Sequence, residues 1–551
     1  MIRLRRWLNQ QNISRWLLVG TAFSCFSQLA LFGSKCLHQV DIDGMDYIGI
    51  ARHLRNAQFH LAINDFRSPL LSWMIAAGSF LDRDFVQVGK IINVGSYLSC
   101  VVLLYFFTKS LWHSKFAASV AVFWFSLCRG LSAQAVEMIT PDYLLTALVL
   151  AYFLLLLQCL RTDKNKYWGW LGAIHALAFL AKGFALPWLA LCTAFAVVLS
   201  RPPKRWVQPI ALAGVFPLLV AMTWAGVLHS KYDVYTAGTQ FKVNYLQWAV
   251  HAYSNRPDRT YLVLTDTHPF IDEFSVNDPM PPGSWPWHYR IHAQQAIPKL
   301  IAGEIHNLPA AVKELLIVLS PGGLLAFACV LAFLARRRLQ TPVEFTVAAV
   351  IAFGVISLLL AYCMLVFDGR YVYPIIPLVM AVAAGLLVER TTPVVRMAQS
   401  VAVAFAVLAI LGSLVYSSSP FRTLNRDFQV SCYRTGQILR AHPGTSIVSV
   451  GLGPYPEHGV GWEAGYKSAY FGDRRLIGAT DALPDSEATI PLLRDISKAA
   501  PDAVLIWGRP QDNHYEAFVR RVLQEYGGSS EYVLTDPSLG EVGMVVFVNP
   551  R

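Results

Sequence analysis

Long uninterrupted apolar runs constrain this chain more than any other feature. They fall near residues 14–35, 88–108, 116–128, 142–160, 168–181, 184–200, 207–229, 313–335, 343–366, 371–389 and 397–416. Crossing a bilayer's hydrocarbon core takes roughly 20 apolar residues in a helix. Within that core every backbone N–H and C=O must be satisfied by the protein itself. The runs therefore predict an α-helical polytopic membrane protein with about eleven transmembrane helices. Of the 551 residues, 55% are hydrophobic and only 15% charged, too few charges to wrap a soluble fold of this length. The runs at 168–181 and 184–200 are short, so they are expected either as two spans or as one kinked pair around "AKGFALPW".

The formal net charge of +11 sits largely in short segments between the runs: "RLRRW", "RTDKNKYW", "SRPPKRW", "ARRRLQ" and "ERTTPVVRM". Basic segments resist translocation and collect on the cytoplasmic side. Alternating the spans from a cytoplasmic N-terminus puts all five there, so charge and span count agree. No long basic patch with interleaved aromatics suggests nucleic-acid binding. The N-terminal basic residues and apolar run are expected to act as a retained signal anchor. Most of the nine cysteines lie in or beside apolar runs; Cys36 and Cys432 fall in outward segments, where a disulfide between them is conceivable.

The same topology places the longer polar segments outside: 36–87, "RGLSAQAVEMITPD", 230–312, and everything after about residue 417. In the first, Met45, Ile48, Ala51 and Leu54 recur with helical spacing and predict an interfacial helix, with Arg52, His53 and Arg55 off its stripe. A second helix is expected from "FRSPLL", with Ser68 as its N-cap and Pro69 in its first turn. The aromatic, proline-rich stretch "HPFIDEFSVNDPMPPGSWPWHYRI" reads either as an aromatic belt or as a lid over substrate. Beyond residue 417 the pattern becomes soluble. "TSIVSVGLG", "DAVLIWGRP", "EYVLTDP" and "GMVVFVNP" read as strands, and "SEATIPLLRDISKAA" and "NHYEAFVRRVLQEYGG" as amphipathic helices. The expected organisation is a transmembrane catalytic domain over 1–416 and a small α/β domain over 417–551.

The outward segments concentrate carboxylates and cations. Asp41, Asp43 and Asp46 crowd the start of the first predicted helix. Asp43 and Asp46 are explained equally well as a cap and a first-turn acid or as chemistry; Asp41 is surplus to a cap. A carboxylate held at the membrane surface can take a proton from a hydroxyl. Asp142 stands where a span begins, after Thr140 and Pro141, with Glu137 just before it. Lys182, followed by Gly183, interrupts two apolar runs; its ammonium either snorkels or meets a phosphate. Arg67 and Arg370 are further outward cations, the latter close to Asp368. Cations of this kind stabilise charge growing on a departing phosphate. No metal is required, although "DID", with Asp41 and Asp43, offers hard oxygens for a divalent ion.

In order along the chain, "DGMDYIGIARHL", "FRSPLLSWMIAAGSFL", "TPDYLLTALVLAYFLLL", "FLAKGFALPW" and "GRYVYPIIPLVMAVAAG" resemble the GT-C glycosyltransferases. The likeness is to bacterial relatives of protein O-mannosyltransferase and of the lipid A aminoarabinose transferase, over roughly residues 35–390. The family's first motif is commonly Asp-Glu with Tyr three residues later. Asp43 and Tyr47 match it, while Gly44 stands in place of the Glu. The second helix usually opens Lys-Pro-Pro, here Arg67-Ser68-Pro69, and the Thr-Pro-Asp and Lys-Gly motifs are intact at Asp142 and Lys182.

The resemblance implies a GT-C fold in a bacterial inner membrane, with the C-terminal domain periplasmic. It implies inverting transfer of one sugar from a polyprenyl-phosphate donor to a periplasmic lipid, glycan or protein. By resemblance Asp43 and Asp142 are catalytic, Lys182, Arg67 and Arg370 hold the donor phosphate, and Asp46, Tyr47 and Glu137 support them. The alternatives are a metal-dependent oligosaccharyltransferase-like enzyme and a lipid-linked sugar transporter. Transporters place charge at mid-membrane and often show repeats, neither of which is evident here.

Overall fold

The computed structural model describes residues 10–36, 39–81, 84–162, 164–245, 263–264, 293–319, 342–364, 369–388, 420–444, 446–452, 460–480, 489–508, 513–526, 530–536 and 541–548. In chain order the first helices are α1 (Gln10–Lys35), α2 (Ile42–Arg55), α3 (Phe59–Ala62), α4 (Leu70–Ser79), α5 (Phe85–Trp112), α6 (Lys115–Leu127) and α7 (Arg129–Glu137). Next come α8 (Asp142–Thr162), α9 (Asn165–Ala181), α10 (Ala185–Ser200), α11 (Val207–Tyr232), α12 (Gln240–Asn244), β1 (Val263–Leu264), α13 (Ala293–Leu319), α14 (Pro342–Cys363) and α15 (Ile376–Val388). The remainder is α16 (Pro420–Ala441), β2 (Ser446–Leu452), α17 (Val460–Gly472), β3 (Arg475–Thr480), α18 (Thr489–Ala499), β4 (Ala503–Gly508), α19 (Asn513–Tyr526), β5 (Ser530–Asp536) and β6 (Glu541–Phe547). Two compact units result. One comprises Met1–Ser34, Ile63–Tyr253 and Trp285–Ser417; the other comprises Lys35–Ala62, Ser254–Ser284 and Ser418–Arg551.

The first unit is a helix bundle. Among the described residues five helices are long and apolar enough to cross a membrane, or six if α6 and α7, which meet at 59°, cross as one. The expected spans at 397–416 and in the second half of 313–335 lie outside the described residues. The pair around "AKGFALPW" is two helices, α9 and α10, broken at Lys182–Phe184. Buried side chains of α5, α6, α8, α9, α10, α14 and α15 form one continuous apolar core. Large apolar side chains also cover the outside, including Trp16, Phe23 and Phe26 of α1 and Leu218 and Met222 of α11. Such a surface suits lipid as the surrounding solvent.

Polar groups inside the bundle repair the backbone where it breaks. The α6–α7 bend leaves Ser126 O without its helical partner, and Ser24 Oγ (2.9 Å) and Gln28 Nε2 (3.0 Å) of α1 donate to it. Ser132 of α7 completes the network by donating to Gln28 Oε1. Without water to substitute, an unmatched carbonyl here would be costly. Close helix contacts use small residues. At Gly172 of α9 a Cβ would stand 2.7 Å from Ala213 O of α11.

In the second unit a six-stranded sheet has the order β1-β3-β2-β4-β6-β5. The β3-β2-β4 centre is parallel, β6 and β5 are antiparallel additions, and β1 pairs antiparallel with β3. Parallel neighbours need crossover helices, which α17 and α18 supply. One face (Val448, Val450, Val504, Ile506, Met544, Val546) packs against α18 and α19. On the other, Gly465 of α17 lets that helix approach buried Ser449. Central β4 is buried along its whole length, as its run "AVLIWG" requires. The predicted α/β domain is present, with its four strands and two helices; β1, β3, α16 and α17 are additional. Cys36 and Cys432 are both buried thiols.

The Gly172 contact predicts a contrast within one helix. Gly172→Ala forces α9 from α11 and should cost about 1–3 kcal/mol. Gly169, with nothing within 4 Å of a built Cβ, should accept alanine with no loss or a gain of up to about 1 kcal/mol. Thermal unfolding of the two variants in detergent checks this.

Candidate active site

The first motif lies on α2. Asp41, in extended conformation, is the N-cap: Gly44 N–H donates to its Oδ2 at 3.1 Å, and Met45 N–H donates to its carbonyl at 3.1 Å. This corrects the expected cap at Asp43. The helix starts two residues earlier than that cap implies, at Ile42, so Asp43 falls in its first turn. The single-stripe reading of α2 is also revised. Met45, Ile48 and Ala51 are buried, but so are Asp46 (0% exposed), Tyr47, Ile50 and His53, so burial wraps most of the helix. His53 is accommodated by a 2.8 Å hydrogen bond between Nδ1 and Gln58 Oε1. Within this unit the Arg52 guanidinium lies 4.1 Å from the centroid of the Tyr470 ring on α17. The C-terminal domain thus contacts the motif helix directly.

The other motifs meet in the helical unit. Asp142 opens α8, and Lys182 caps α9 at its C-terminus, where an extended backbone breaks the helix. Lys182 Nζ donates to Asp142 Oδ1 at 2.5 Å, and the two residues are 8% and 1% exposed. Burying either charge alone is expensive; together they match. Asp142 Oδ2 is also buried and has no hydrogen-bond partner among the described residues. The Lys182 ammonium lies 5.0 Å from the Tyr371 ring centroid, and the Arg370 guanidinium 5.8 Å from the same ring. Tyr371 stacks on Tyr362 at 4.2 Å, which meets Phe184 edge-on at 4.9 Å. Two predicted phosphate-binding cations therefore share one aromatic platform. Sequence reasoning passed over Tyr371, although it is adjacent to Arg370 in "GRYVYP". Asp368 lies outside the described residues, as does the aromatic stretch 268–291.

Arg67 is buried, its guanidinium 4.7 Å from the Phe66 ring centroid. Ser68 does not cap α4, whose N-cap is Pro69 without a side-chain bond. Its Oγ instead accepts from Gly183 N–H at 3.1 Å. The reason is the break after Lys182, which leaves that N–H without a helical acceptor. Glu137 ends α7, beside Met138, whose carbonyl accepts from Asn93 Nδ2 at 2.6 Å.

A carboxylate not singled out from the sequence lies on α13. Gly303 approaches Met364 O so closely that a Cβ would stand 2.5 Å from it, and Asn307 Nδ2 donates to Cys363 O at 2.9 Å. Between them, both Glu304 oxygens are buried with no hydrogen-bond partner among the described residues. Burial pushes its carboxyl above the ordinary value of 4.5.

A divalent ion would need several hard oxygen ligands. Asp41 Oδ2 is engaged in the cap, and among the described residues no three His, Cys, Asp or Glu side chains converge.

This fold is that of the GT-C membrane glycosyltransferases. The crystal structure of ArnT from Cupriavidus metallidurans bound to undecaprenyl phosphate superposes with a TM-score of 0.57 at 14% identity, covering 98% of this chain and 100% of that one. The Archaeoglobus fulgidus oligosaccharyltransferase AglB, in complex with an inhibitory peptide and a dolichol-phosphate, gives 0.51 at 12% identity over 97% and 74%. The same oligosaccharyltransferase in complex with Zn and sulfate gives 0.52 at 12%, over 97% and 73%. Within this fold, residues 67–226 match the model of the dolichyl-phosphate-mannose-protein mannosyltransferase family. No curated protein matches by sequence.

Two outcomes follow from the buried charges. Asp142→Asn strands an ammonium and should cost about 3–5 kcal/mol, while Asp142→Asn combined with Lys182→Met should recover most of it; paired melting curves measure both. For Glu304 the native value is raised. Below its ordinary value of 4.5 both states hold the proton and burial of the acid is uncharged. As pH rises through the native value, the unfolded chain releases the proton first and stability falls. Glu304→Gln should flatten that decline, measured as a smaller difference in melting temperature between about pH 4 and about pH 8.

Proposed function

We propose that this chain is an inverting glycosyltransferase that moves one sugar from a polyprenyl-phosphate donor to an acceptor on the outer face of a bacterial inner membrane. The observation that carries the reading is the buried Lys182, paired with Asp142 and sharing the Tyr371 ring with Arg370. A lysine has three donors, so one can serve Asp142 while others face a phosphate. The same fold was crystallised, in a different protein, with undecaprenyl phosphate.

In this mechanism the acceptor oxygen or nitrogen bonds to the anomeric carbon as the bond from that carbon to the phosphate oxygen breaks. Asp43, in the first turn of α2, takes the acceptor's proton. Lys182, Arg67 and Arg370 stabilise the negative charge that collects on the departing polyprenyl phosphate. Asp142 holds Lys182 in place and keeps one oxygen for the acceptor. Asp46, Tyr47 and Glu137 support these groups, and attack opposite the leaving group inverts the anomeric configuration. The acceptor is a lipid, a glycan or a protein, and the C-terminal domain takes part in recognising it.

Purified protein offered a panel of radiolabelled polyprenyl-phosphate sugars tests the reading. Asp43→Asn should bind donor normally yet lose most transfer; normal turnover would remove Asp43 as the base. Lys182→Met should weaken donor binding at least tenfold more than Lys164→Ala, which alters an exposed cation at the start of α9. Activity surviving a strong chelator counts against the metal-dependent alternative.

A further inference from the structure

We propose that Ser68 is a positioning residue for the donor phosphate, aligning Arg67 with Lys182. This rests on the reading above, in which both cations contact that phosphate. Arg67 and Lys182 are far apart in sequence, yet the residue after each joins the two: Gly183 N–H donates to Ser68 Oγ at 3.1 Å across 115 residues. The bond is directed by the fold. Lys182 is extended, with φ −150° and ψ 124°, so the chain leaves α9 at that point. Ala185 N–H and Leu186 N–H then turn back to Lys182 O and Gly183 O to begin α10. Gly183 N–H points out of both helices, and Ser68 receives it.

The rest of the Arg67 segment is anchored elsewhere. Ile63 O accepts from Lys231 Nζ at 2.7 Å and from Tyr232 OH at 3.1 Å, both at the end of α11. Asp65 O accepts from Thr239 N–H at 2.9 Å. Asn64 Oδ1 accepts from Phe66 N–H at 2.9 Å and Arg67 N–H at 2.6 Å, fixing the turn internally. These bonds hold residues 63–67 against the α11 side. The Ser68 bond closes the other end onto the turn that carries Lys182. With it, two cations from separate segments keep one spacing before the donor arrives, so less ordering is left to binding. Without it, the two turns are joined through apolar packing, with Leu70 against Phe179 and Leu180, which fixes their spacing less tightly than a directed bond.

The test measures affinity for undecaprenyl phosphate and, separately, for undecaprenol, which has the same tail and no phosphate. Ser68→Ala should weaken binding of the phosphate about five- to tenfold, the loss expected for one hydrogen bond, and leave undecaprenol unchanged. Ser68→Thr, which keeps the hydroxyl, should restore affinity; Ser68→Cys, which keeps the volume with only a weak acceptor, should show the same loss of about five- to tenfold and replaces alanine in the test if alanine folds poorly. In an Arg67→Ala background, Ser68→Ala should add nothing, because the cation it aligns with Lys182 is gone. Wild-type affinity in Ser68→Ala overturns the proposal. So does an equal loss for undecaprenol, or a full loss that persists with Arg67→Ala. If Arg67→Ala and Lys182→Met themselves leave undecaprenyl phosphate affinity unchanged, the phosphate-site reading fails instead.

Discussion

Charge carried into an apolar helix bundle must be matched, and in this protein Lys182 and Asp142 match each other at 2.5 Å. The rest of the helical site is arranged around that contact. It ties the start of α8 to the break between α9 and α10, two places where the backbone would otherwise be free to shift. It also holds the ammonium against the Tyr371 ring, and so near the short helical turn Gly369–Val372 that carries Arg370. A lysine without a carboxylate would favour reaching for the bilayer surface. With one, its charge is matched in an enclosed position.

The motif helix α2 solves a different problem. Three aspartates stand at its start, and only one is needed to cap it. Asp41 takes that task because its extended backbone presents the carboxylate to Gly44 N–H. Asp46 is enclosed, and Asp43 is left in the first turn. The Arg52–Tyr470 contact gives the C-terminal domain a part in holding α2, beyond the simple role of an appended soluble module. That contact joins positions more than four hundred residues apart, so no local pattern could have announced it.

Much of the architecture was legible. The apolar runs located α1, α5, α6, α8, α9, α10, α11, α14 and α15 because lipid offers the backbone no partners and leaves helices as the solution. "DAVLIWGRP" and "NHYEAFVRRVLQEYGG" announced β4 and α19 through a continuous apolar run and a helical stripe. Strand β3 was missed because "RLIGAT" is short, and its pairing with β2 and β1 is long-range. Among candidate functional residues, Asp43, Asp142, Lys182, Arg67 and Arg370 were singled out by residue type and order. The cap was misassigned because a boundary error of two residues moves it from Asp41 to Asp43. Ser68 was misread for a related reason: Ser-Pro before an apolar run is a good local cap signal, and its actual partner is 115 residues away. Glu304 had no local signal, since its burial depends on the Gly303 and Asn307 contacts with the end of α14.

The sequence by itself determined that the chain lives in a membrane, where its helices run, that a soluble α/β layer follows, and which acidic and basic side chains interrupt the apolar pattern. Those are consequences of solvent preference and backbone satisfaction, which act along the chain. Tertiary structure alone decided that Asp142 belongs to Lys182, that Tyr371 lies beside both Lys182 and Arg370, that Ser68 serves Gly183 rather than α4, and that α2 is touched by α17. Each of these is a directed contact of a few ångströms between distant segments, and such geometry exists only once the helices have packed.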